Sequence, residues 1–80
     1  MSILNQFREN FSIITLHGTK EIYVENFISI LEFNDVQIKI RAKCEIITVV
    51  GERLQVEYMN KDDIKIIGTI HSVHLMEAVK

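Results

Sequence analysis

The residues whose types could carry chemistry are few: His17, His71, His74, Cys44, the pair Asp62-Asp63 and the basic row Lys39, Arg41, Lys43. His71 and His74 lie three apart in an apolar run. On an unbroken strand an odd spacing sends two side chains to opposite faces, where they cannot share one ion. A β-bulge near His71-Ser72 would bring them to one face. Together with Cys44 they support a rival reading of the chain, a small metal- or ligand-binding regulatory module. Cys44 stands between Lys43 and Glu45, whose charges oppose each other's effect on a thiol. No His-Asn or His-Asp pair is identifiable beside it. His17 and Asp62-Asp63 fall in turn-like stretches, where such residues are ordinary. The alternation along Lys39, Arg41 and Lys43 makes a basic stripe on one strand face, suited to an acidic partner, to anionic headgroups or simply to solvent. We therefore expect no catalytic, cofactor-binding or metal-binding residue, and no enzyme.

The elements that position these residues read as strands. Ile and Val supply 21 of 80 residues, and these stiff β-branched side chains suit a pleated sheet. Seven strands are expected, at Phe11–Leu16, Glu21–Glu25, Ile28–Phe33, Val36–Lys43, Cys44–Val50, Leu54–Met59 and Ile64–Leu75. Turns are expected at His17-Gly18-Thr19-Lys20, Asn34-Asp35, Gly51-Glu52-Arg53 and Asn60-Lys61-Asp62-Asp63. The fold class is all-β, an antiparallel meander forming a small sandwich or roll. Residues 1–11 would be an N-terminal arm, either loose or with a helical turn through Ile3, Leu4 and Phe7. Residues 12–75 would be the domain, and 76–80 a tail. A weak internal repeat matches Ile14-Thr15-x-x-Gly18 with Ile47-Thr48-x-x-Gly51, then Ile22-x-Val24-Glu25 with Leu54-x-Val56-Glu57.

Composition narrows the function classes. Net charge is -2, which argues against a nucleic-acid partner, because phosphate neutralisation needs a basic surface. No apolar run is long enough for a transmembrane helix. The opening ten residues include Arg8 and Glu9 and lack the apolar core of a signal peptide. A lone cysteine fits a reducing compartment, so a cytoplasmic protein is expected. A domain of this size buries only about 60–65% of its unfolded surface. Yet 48% of the chain is apolar, and adjacent apolar pairs place such groups on both sheet faces. Ile30, Leu31, Ile46, Ile47, Val49, Val50, Ile66 and Ile67 are accordingly candidates for contact with a second chain, and a homodimer is expected.

One further observation sharpens the partner reading. Ile14-Thr15-Leu16-His17-Gly18, Ile22-Tyr23-Val24-Glu25-Asn26 and Ile30-Leu31-Glu32-Phe33 resemble the opening of the YabP/YqfC family of sporulation proteins. Gly51-x-x-Leu54-x-Val56 and Ile64-x-Ile66-x-Gly68-x-Ile70-x-x-Val73 resemble its closing half, and the likeness is nearer the YqfC branch. The resemblance implies a protein of a Gram-positive endospore former, working in the mother cell and at the forespore surface. It implies a non-catalytic part in spore envelope or coat assembly, with a sporulation membrane protein as partner. It carries no active-site residues over. Gly18, Gly51 and Gly68 then look like backbone requirements: two turns and one close-packed strand position.

Overall fold

The structure, a computed structural model, describes residues 11–78. The arm at 1–11 expected from the sequence therefore falls outside the described residues, apart from Phe11. Six antiparallel strands make one sheet: β1 Ile13–His17, β2 Glu21–Glu25, β3 Phe27–Phe33, β4 Gln37–Ala42, β5 Glu45–Met59 and β6 Asp63–Glu77. The all-β antiparallel class is as expected. The strand count is six rather than seven, because Gly51-Glu52-Arg53 is not a turn. β5 continues through it, with Arg53 in the left-handed region at φ 54 and the β5–β6 register shifting between Glu52 and Gln55. An added residue that leaves the ladder intact on either side is a bulge, which bends a strand without reversing it. At the other end β6 reaches Glu77, so the first two residues of the expected tail, Met76 and Glu77, are strand.

Strand order is β1-β2-β6-β5-β4-β3, which departs from a plain meander. The long β5–β6 hairpin is the spine. Hairpin β1–β2 pairs with the first half of β6, and hairpin β3–β4 pairs with the first half of β5. Each small hairpin also ties its tip to the middle of the spine. Gly68 N and Ile70 N donate to Lys20 O (3.1 Å) and Thr19 O (2.7 Å). Gly51 N and Leu54 N donate to Val36 O and Asp35 O, both at 2.9 Å. The spine thus carries a near-twofold arrangement. It relates residues 13–25 to 27–42.

The spine folds over on itself. Phe27 N bonds Asp62 O (3.0 Å) at its tip, while Phe27 is paired with Ala42, three residues before the start of β5. One residue can bridge both ends of a fifteen-residue hairpin only if the hairpin curls. Its two halves then form two leaves facing across one core. Ile22, Val24, Ile64 and Ile66 come from one leaf, and Ile38, Ile40, Ile47 and Val49 from the other. All eight are fully buried. The strict alternation in β2 and β4 follows, with buried residues at Ile22, Val24, Ile38, Ile40 and Ala42 and partly exposed ones between.

Tight crossing at the fold line explains two glycines. A Cβ on Gly51 would lie 2.0 Å from Thr69 O, and one on Gly68 2.8 Å from Arg53 O. Gly68 is the close-packed strand position that was expected. Gly51 is a second such position and not a turn. Gly18 does occupy its turn, at φ 57. Two of the other reversals are held by asparagine side chains. Asn34 Oδ1 accepts from Val36 N and Gln37 N (2.9 and 2.8 Å), and Asn60 Oδ1 from Asp62 N and Asp63 N (2.8 and 2.7 Å).

Candidate interaction surface

β3 lies at the edge of the sheet, with β4 on one side only. It carries Phe27, Ile28, Ile30, Leu31 and Phe33 in seven residues because its inner face must cover the core. Its pairing with β4 shifts register twice, between Phe27 and Ser29 and between Ile30 and Glu32. The residues skipped at the shifts, Ile28 and Leu31, are 51% and 48% exposed, and Phe33 at the strand end is 55% exposed. An open groove of about 400 Å³ lies at the Ile28 end of the strand, lined by Phe27, Ile28, Ser29, Ile30, Met59, Asn60 and Lys61. Large apolar side chains around an open groove form a contact surface, since water on them is unfavourable.

The candidates named from the sequence are distributed unevenly over this molecule. Ile47, Val49 and Ile66 are fully buried in the core and already covered by the chain itself. Ile30 is partly buried and packs against that core. Ile46, Val50 and Ile67 lie on the outer faces, half-buried. Leu31 alone of the eight is strongly exposed. Ile28, Phe33 and Met59 were missed, because which strand ends at an edge depends on the order of the sheet and not on local pattern.

The histidines do not gather. The register shift between Val50 and Gly51 leaves His71 as an extra residue on β6, so the bulge expected at His71-Ser72 is present. It returns Val73 to the core side, opposite Val49, but does not join the two rings. His71 Nε2 lies 3.1 Å from Glu52 Oε2, and His74 Nε2 lies 3.0 Å from Ser72 Oγ. His17 Nδ1 is 2.9 Å from Glu21 Oε1 beside the first turn. Cys44, half-buried, sits between β4 and β5, where its carbonyl accepts from Ala78 N (2.9 Å). Among the described residues no three His, Cys, Asp or Glu side chains stand together as a metal cluster.

The two outer faces differ in charge. On the β1–β2 leaf, Glu21, Glu25 and Asp63 share a face with Lys65, and Glu57 reaches it from the β5 bulge. Lys65 Nζ lies 3.1 Å from Glu57 Oε1 and 3.7 Å from Glu21 Oε2. The Glu57 and Glu21 carboxylates hold the Lys65 ammonium above its ordinary pKa. The hydrogen bond from His17, and then Lys65, hold Glu21 below the usual carboxylate range. Burial, followed by Asp63 and Glu25, pushes the Tyr23 phenol up. On the β3–β4 leaf the outer row is Gln37, Lys39 and Arg41, beside Thr48, Ile46 and Val50 of β5. Lys43 follows just past the end of β4.

A family model described as the YabP family matches residues 9–80. A search of curated proteins returned no match, and neither did a search of solved structures. Among the described residues no helix is long and apolar enough to cross a membrane.

Proposed function

The chain belongs to the YabP family, a family associated with sporulation, and on that footing we propose that it is a non-catalytic protein of spore envelope or coat assembly that works by protein–protein contact. We place it nearer the YqfC branch of that family, in the mother-cell cytoplasm at the forespore surface. In this reading it acts as a homodimer and engages a sporulation membrane protein.

The observation that carries the reading is the β3 edge, where Ile28 and Met59 stand half exposed at the groove and Leu31 and Phe33 stand half exposed further along the strand. Bulges at an edge interrupt the row of free backbone groups and blunt simple strand addition. Recognition at β3 therefore rests on apolar side chains entering a partner's surface. The sheet has a second edge at β1, where Leu16 is half exposed.

Affinity capture from sporulating cells tests this. The wild-type chain should retain a membrane protein, and Leu31→Glu and Phe33→Glu should lose it while keeping a wild-type thermal midpoint. Retention undiminished in both folded variants would remove β3 from the mechanism.

A further inference from the structure

The two outer faces of the roll carry opposite charge, and the exposed apolar side chains of the β3 edge, Ile28, Leu31 and Phe33, are not among their charged groups. Among the described residues the acidic face carries the carboxylates of Glu21, Glu25, Glu57 and Asp63 around the ammonium of Lys65, with Lys20 Nζ bonded to Thr69 Oγ1 (3.2 Å) at its border. Tyr23 sits between them, its phenol pushed up first by burial and then by Asp63 and Glu25. The opposite face presents Lys39 and Arg41, with Lys43 at its border and Glu32 as the one carboxylate in the row, across from Lys39. Among the described residues the ion pairs use Lys65, His17 and His71 and leave Lys39 and Arg41 out. Half-buried Ile46 lies opposite Arg41 and half-buried Val50 opposite Gln37, while half-buried Ile67 lies opposite Glu21. The leaves face each other through the core, so these faces point in opposite directions.

We propose that the chain stacks head to tail on further copies of itself, the Lys39/Arg41 face of one on the Glu21/Glu25/Asp63 face of the next. A contact between two different patches on opposite sides of a molecule does not close on itself, so it generates an open chain of copies. A leaf four strands wide and about six residues long spans roughly 400 Å² by standard sheet spacings. Two such faces bury less than the roughly 1,200 Å² of a stable pairwise interface, so each junction is weak. It is also strongly screened by salt. A second copy is the favoured occupant because the complementary charge is carried on the chain itself. An anionic lipid surface is the competing one, and the net charge of -2 opposes it.

Sedimentation velocity on the purified chain tests this, at about 0.01 M and about 1 M salt, where the screening length changes from about 30 Å to 3 Å. The expected result at low salt is a mass that grows with concentration and shows no plateau at the dimer, and its loss at high salt. Lys39→Glu/Arg41→Glu makes both faces acidic, and Glu25→Lys/Asp63→Lys reverses the acidic face. Each variant alone should fail to grow at low salt, and an equimolar mixture should recover growth. A mass independent of salt would overturn the proposal even if a variant failed to fold. So would binding of wild-type chain to anionic phospholipid vesicles, lost in Lys39→Glu/Arg41→Glu, with no growth in solution. A salt-independent dimer would overturn stacking while leaving the β3 contact standing.

Discussion

Gly51 shows how one residue decides the shape of the spine. Any side chain there meets the Thr69 carbonyl oxygen, a backbone atom that cannot rotate away. Gly51→Ala should cost about 3 kcal/mol or more, the upper range of overpacking, because β5 and β6 must separate at the fold line. Gly18 is needed for a different reason. Its Cβ would meet open space, and only its left-handed backbone resists substitution. Gly18→Ala should cost about 1–2 kcal/mol, and Gly18→Asn less, since Asn tolerates that region. Urea unfolding of the three variants checks the order. Equal losses at Gly51 and Gly18 would contradict it. From sequence these two glycines look alike, each following an Ile-Thr pair by two residues. What separates them is Thr69, which lies close to Gly51 only once β6 has crossed it.

At the scale of elements, most of the strands were legible because burial writes itself as alternation. Val36 to Lys43 alternates without a break, and β4 occupies nearly all of it. The turns at Asn34 and Asn60 were legible because their side chains supply the local hydrogen bonds. Strand order was not. The link that separates β2 from β3 is Asn26 at φ 68, its N–H bonded to Asp62 O (2.7 Å), a partner 36 positions away. The candidate surface inherits that blindness: Leu31 was named, while Ile28 and Phe33 beside it were not. The β2–β6 outer face makes its own prediction. Glu21 ionises more readily in the folded chain, so its contribution to stability is full above the ordinary carboxylate pKa and is lost as pH falls through the lowered folded value. Lys65 holds its proton more firmly when folded, so its contribution is full below the ordinary lysine pKa and is lost as pH rises through the raised one. The thermal midpoint gap between wild type and Lys65→Met should therefore be widest between about pH 5 and pH 10 and narrow at both ends. A gap constant from pH 3 to pH 11 would contradict this assignment.

At the scale of the whole molecule, an 80-residue chain has encased one Ile-rich core by folding a long hairpin over itself. Three of the residues that looked available to a partner are spent inside that core. The apolar excess visible in the composition is thus divided between the fold and exposed side chains, those of the β3 edge among them. That edge is where the account places association. Light scattering on the purified chain measures it most directly, at tens of micromolar and about 0.15 M salt, where stacking between charged faces is screened beyond about 8 Å. The account predicts a mass twice the 9.3 kDa of one chain for wild type and 9.3 kDa for Leu31→Glu. A wild-type mass of 9.3 kDa, or a dimer that Leu31→Glu leaves intact, would contradict it.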